Sequence, residues 1–219
     1  MVALHGVAID MPAGPSEVAI MADGSSIPSF IAADLLSQAE HGADSQVILF
    51  TSNEEILAPM IEELNVQLET LPRKEIARKA LANSKAIVLS SENEMLEITN
   101  EYAPEHLIIA MEKATEIAER IVNAGSVFIG NYSPESAGDY ASGTNHALPT
   151  AGYAKGYSGV NLDSFMRKIT FQQLSQYGLF NIGPTIEIKA EAEELIAHKN
   201  ATSIRLKAIV NERKKNDHV

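Results

Sequence analysis

Five short runs of almost wholly apolar residues, separated by stretches of helical periodicity, constrain this chain more than any other feature. They cover residues 18–21, 46–51, 86–90, 106–110 and 126–129. A strand with one face in water alternates apolar and polar side chains, and these runs do not. Both faces must therefore be covered, which predicts an α/β fold with a mostly parallel sheet and helices on both faces. Helices are predicted over 27–41, 54–70, 73–84, 92–101 and 113–124, with Pro59 calling for a kink or a later start in the second. From Gly130 to Val160 the chain turns rich in Gly, Ser, Asn, Tyr and Pro. A loop this long with so many aromatics points to function rather than disorder. Helices near 162–177 and 190–214 then form a C-terminal arm, so the expected division is an α/β domain over 1–160 and an arm over 161–219.

The helix over 27–41 carries the first chemical signal. Ser25 and Ser26 are candidate caps, and Gly42 suits the left-handed residue that ends many helices. At about 100° per residue, Ile27, Ile31, Leu35, Gln38 and His41 share one face while Glu40 points away, so the segment is not an HExxH box. An amide and an imidazole on a buried stripe need compensation, because an unpaired buried polar group costs roughly 1–3 kcal/mol. A mutual hydrogen bond, a ligand or a metal would each serve.

Composition limits the partners. A chain of 219 residues with 45% hydrophobic content can bury a full core. A net charge of −12 disfavours nucleic acid and anionic membrane surfaces, and the one basic run, Arg213-Lys214-Lys215, lies near the terminus. No apolar run approaches the roughly 20 residues of a membrane span, and the expectation is a soluble, cytoplasmic chain. With no cysteine, neither thiolate ligands nor a thiol nucleophile are present. Any aldehyde chemistry must then proceed without a thiohemiacetal. No strand is followed by GxGxxG, and no GxxxxGK[ST] occurs, so no glycine motif marks a nucleotide site.

The remaining candidates sit at element ends. Glu105-His106 follows Pro104 at the start of a strand, where an acid and an imidazole suit a base and proton relay, or simply a polar pair at a strand entry. Asp139 and His146 lie in the long loop, where Asp139 could equally cap a turn. In the arm, Glu194 is spaced to pair with His198 at i,i+4, whereas Glu193 and His198 diverge by about 140° in a regular helix. If both serve one site the helix must break nearby, with Asn200 a plausible cap for a new one. Gln38, His41, Asp139 and His198 together offer two imidazoles, a carboxylate and an amide oxygen. That sulfur-free set suits Zn²⁺, with Mn²⁺ or Co²⁺ as competitors. His5 and His218 lie near the termini and are assigned no role.

Five segments, in order, carry a family resemblance. Pro12 to Glu17 reads PAGPSE, Leu35 to Gly42 LLSQAEHG, Tyr102 to Leu107 YAPEHL, Ser133 to His146 SPESAGDYASGTNH, and Ala197 to Asn200 AHKN. They closely resemble histidinol dehydrogenase over essentially the whole chain. The resemblance implies an incomplete Rossmann-like sheet and a zinc-dependent, four-electron oxidation of L-histidinol to L-histidine through histidinal, with two NAD⁺ as co-substrates. This is the last step of histidine biosynthesis. Gln38, His41, Asp139 and His198 would hold zinc, and the metal would grip the imidazole and amine of the substrate. Ser16, His146 and Glu193 would also contact substrate, as would His106, the base for the alcohol proton. Glu105 would activate the water that attacks the aldehyde. A homodimer with the arm exchanged would let Glu193 and His198 complete the partner site.

The chain departs from the family in length. It corresponds to the C-terminal half, and the family's NAD contacts lie in the other half, so no residue here inherits them. A fragment, a split enzyme needing a separate N-terminal polypeptide, and a truncated, non-catalytic zinc-binding protein all fit. A related polyol or sulfonate dehydrogenase is a further alternative, disfavoured because His146 and Glu193 suit an amino-imidazole substrate.

Overall fold

The computed structural model describes residues 9–216. It divides into two compact units, the first ending at Met166 and the second beginning at Arg167, against the expected division at 160/161.

The first unit is built on a five-stranded sheet in the order β3-β2-β1-β4-β5. Its strands are β1 (Glu17–Ala22), β2 (Gln46–Thr51), β3 (Lys85–Val88), β4 (His106–Ala110) and β5 (Ser126–Ile129). Every pairing is parallel. Side chains alternate across the sheet as a period of two requires. Val18, Ile20, Val47, Leu49 and Ile108 pack on one face under α1 (Pro28–Ala39), α2 (Leu57–Thr70) and α3 (Lys74–Ala82). Ala19, Met21, Ile48, Phe50, Leu107 and Ile109 pack on the other, against α4 (Glu92–Tyr102) and α5 (Ala114–Ala118). Each large aliphatic side chain fully buried in this way stabilises the fold by about 1.5–3 kcal/mol. The uniform apolarity of the strands thus follows from two covered faces.

Several expected boundaries move for local reasons. The cap of α1 is Ile27, without a side-chain bond, and Pro28 opens the helix. Ser26 instead donates its hydroxyl to the Ala110 carbonyl. Gly42 is not left-handed; among the described residues the glycines with positive φ are Gly130, Gly143 and Gly152. The helix tightens at its end, where His41 N–H donates to Gln38 O (3.2 Å), so His41 lies just beyond it. Pro59 falls in the first turn of α2, which starts late, after a 3-10 turn over Glu54–Ile56. The expected helix over 113–124 shrinks to α5. The long loop contains a short helix, α6 (Glu135–Tyr140), that its turn-rich composition concealed.

The expected helix over 162–177, which crosses the division at 166/167, is also corrected. After a 3-10 turn at Leu162–Phe165 the backbone is irregular until α7 (Gln176–Ala192). Ile169 and Phe171 fall two apart, a spacing that gives a helix no apolar face. Glu193 ends α7, Glu194 adopts a left-handed conformation (φ 59°), and α8 (Ile196–Asn216) begins two residues later. The break expected near His198 therefore occurs before it. Glu194 cannot make a helical pair with His198, and Asn200 lies inside α8 rather than capping it. The two helices approach closely at Gly183, where a Cβ would lie 2.8 Å from the Leu206 side chain.

Candidate active site

Parallel strands usually present ligands at their carboxyl ends. Here the chemical side chains gather at the amino ends. Ser16 immediately precedes β1, Glu105 precedes β4, and His106 is the first residue of β4. Strand β1 leads into α1, whose return brings Gln38 and His41 back to the same edge. Helix α6 adds Glu135 and Asp139, four residues and about one turn apart, and the following segment adds His146. Ser16, Gln38, His41, Glu105, His106, Asp139, Tyr140 and His146 line a cavity of about 380 Å³. Glu193 and His198 belong to the second unit, at the end of α7 and in the first turn of α8, both exposed.

His106 is 4% exposed. Its Nδ1 lies 3.2 Å from the Glu17 carbonyl, which can only accept, so Nδ1 carries the proton and Nε2 the lone pair. Nε2 is buried without a hydrogen-bond partner, 3.8 Å from Asp139 Oδ1. Burial lowers the pKa of this ring more than the Glu17 bond and Asp139 raise it. A neutral imidazole with a free lone pair is a base in waiting.

Glu105 lies 3.6 Å from His106 Nδ1. Burial, aided by the like charges of Glu17 and Asp139, pushes its carboxyl up to about 7, although the Glu17 backbone N–H opposes the shift. A carboxyl poised near neutrality can take a proton from water. The segment that presents it is held in an uncommon shape: Ala103, at the end of α4, is left-handed (φ 55°) and fully buried. Such a conformation costs a non-glycine residue about 1 kcal/mol and fixes the direction in which Pro104 and Glu105 leave the helix.

Glu135 is the site residue that the sequence reading missed. It is 2% exposed, and burial followed by the charges of Asp139, Glu105 and Asp34 raises its carboxyl to about 9. With its amide nitrogen turned toward that carboxylate, Gln38 donates to Glu135 Oε2 (3.1 Å), the orientation that avoids opposing two acceptors. The buried stripe residue is thus satisfied. The missed signal was the four-residue spacing of Glu135 and Asp139, which means one face only if the segment is read as helical.

His41, Glu135 and Asp139 each offer a ligand atom, all within 4.8 Å of one another. Among the described residues, the ion pairs of Glu105, Glu135 and Asp139 are with His106 alone, and no Lys or Arg lines the cavity. Converging carboxylates, an imidazole and an unpartnered buried nitrogen fit a divalent cation of borderline character.

The model of the family described as histidinol dehydrogenase matches residues 1–206. The chain belongs to the histidinol dehydrogenase family. It is 61% identical over 209 residues to the histidinol dehydrogenase of Bacteroides thetaiotaomicron, covering 95% of this chain and 49% of that protein. With the histidinol dehydrogenase of Pectobacterium atrosepticum it shares 53% identity over 206 residues, 94% of this chain and 47% of the relative. The crystal structure of histidinol dehydrogenase from Elizabethkingia anophelis superposes with a TM-score of 0.92 at 60% identity, over 95% of this chain and 48% of that one. The chain therefore spans about half the length of the relatives it matches.

Proposed function

We propose that this chain carries the metal-binding and acid–base half of a cytoplasmic histidinol dehydrogenase, oxidising L-histidinol through histidinal to L-histidine. The observation that supports it most is the cavity in which Glu105 and His106 face Gln38, His41 and Asp139. His106 takes the hydroxyl proton at Nε2 as the first hydride leaves. Glu105 removes a proton from the water that adds to the aldehyde, and the resulting hydrate gives up the second hydride. No thiol is needed, in keeping with the absence of cysteine. Two NAD⁺ in succession accept the hydrides, with their binding residues in the other half of the enzyme.

Gln38, His41, Asp139 and His198 are the proposed zinc ligands, with Glu135 orienting the Gln38 amide. A bound ion would supply orientation for a substrate bearing an imidazole and an amine. Ser16, His146 and Glu193 complete the substrate contacts. In this reading the arm is exchanged in a homodimer, so that Glu193 and His198 serve the neighbouring site.

A second reading is a truncated, non-catalytic zinc-binding fragment, the chain covering 49% of its Bacteroides relative. Absorbance of NADH separates the two when histidinol and NAD⁺ are supplied with and without a separately expressed N-terminal half. NADH formation in the complemented mixture supports the enzyme. Its absence there, with zinc bound, supports the fragment. Turnover of sugar alcohols in preference to histidinol would reassign the substrate.

A further inference from the structure

Glu17 takes no part in the roles proposed above, yet the residue is only 6% exposed and its carboxylate touches the segments that carry the reacting groups. Its Oε1 accepts the backbone N–H of Glu105 (3.3 Å) and that of Ala151 (3.0 Å). Its Oε2 lies 3.1 Å from the Tyr102 hydroxyl, whose single proton serves either Glu17 or Gln46 Oε1 at 2.8 Å. The Glu17 main chain works in the opposite direction. Its N–H donates to Glu105 Oε2 (2.9 Å), and its carbonyl accepts from His106 Nδ1 (3.2 Å).

A buried carboxylate without a cation is a costly choice for holding two strands together, and among the described residues no Lys or Arg pairs with Glu17. An apolar side chain would pack β1 against β4 equally well. We propose that Glu17 is a positioning residue for aldehyde hydration, clamping Glu105 at both its backbone and its carboxylate and tying the end of the His146-bearing loop to the same point. The loop attachment is reinforced nearby, where Gly14 N–H donates to Thr150 Oγ1 (2.6 Å). The clamp also acts electrostatically. The groups facing Glu105 are Glu17, Tyr102, His106, Glu135 and Asp139, and Glu17 is one of the like charges that raise its carboxyl.

This inference rests on the assignment of Glu105 as the water-activating group. The test compares Glu17→Gln and Glu105→Gln in the zinc-loaded enzyme assembled with its N-terminal half, with histidinol and histidinal supplied as separate substrates. Glu17→Gln keeps an acceptor for the backbone N–H groups but removes the charge and one acceptor oxygen. The aldehyde rate should fall about tenfold or more and the alcohol rate less than about threefold, since the His106 contact is to main chain. The pH midpoint of the aldehyde step should also move down, because a like charge has gone. The ratio of two rates on one preparation is independent of the fraction folded, so lost protein cannot imitate this result. If Glu17→Gln does not fold, Tyr102→Phe removes a donor from the same carboxylate and should change the ratio in the same direction by a smaller factor. A ratio and midpoint unchanged in the folded variant overturn the inference while Glu105→Gln still blocks aldehyde oxidation. If Glu105→Gln itself spares that step, the assignment of Glu105 fails instead.

Discussion

At the scale of single residues, the site depends on carboxyl groups held away from their ordinary range. Burial moves Glu105 from 4.5 up to about 7, so the folded protein holds this proton more tightly than the unfolded chain does. Its contribution to stability is therefore complete below about pH 4.5 and is lost as pH rises through about 7. A base must be ionised, so aldehyde oxidation should climb through the same interval. Melting temperature and histidinal turnover, measured between about pH 5 and 8, should run in opposite directions for this group, and Glu105→Gln should flatten both dependences. The sequence made Glu105 and His106 legible because an acid and an imidazole interrupt an apolar strand entry. Glu17 and Glu135 were opaque, since an exposed glutamate and a buried one are written identically, and only the partners that surround them in three dimensions tell them apart.

At the scale of elements, the strands and the first helices were readable because their periods differ and both sheet faces are covered. Helix α6 and the irregular residues before α7 were not. In α6 the stretch Ser136 to Tyr140 includes Gly138, and its structure depends on Phe128, whose ring would meet a Cβ at Gly138 at 2.7 Å. Tertiary contact there overrides local propensity. The entry to β4 is packed just as closely. A Cβ at Gly125 would lie 2.5 Å from the Glu105 carbonyl oxygen and 3.2 Å from Leu148 Cβ. Backbone offers no flexible end to give way, so Gly125→Ala should cost about 1–3 kcal/mol in denaturant unfolding. It should also slow aldehyde oxidation, because relief of the clash displaces Glu105.

At the scale of the whole molecule, the proposed ligand set is divided between the two units, with Gln38, His41 and Asp139 in the first and His198 in the second. Truncation after Asn161 should therefore abolish tight zinc retention and dimerisation together. Metal content after dialysis and sedimentation of the truncated chain test this, and unchanged zinc content would contradict the proposed arm exchange. Among the described residues no helix is long and apolar enough to cross a membrane. The placement of the cavity at the amino edge of the sheet has a further effect on what can enter it. Helix α1 arrives there carbonyl end first, and a helix terminus of that polarity carries roughly half a negative charge. With no Lys or Arg lining the cavity to offset it, this makes the edge a poor host for phosphate and a better one for an ammonium or imidazolium group.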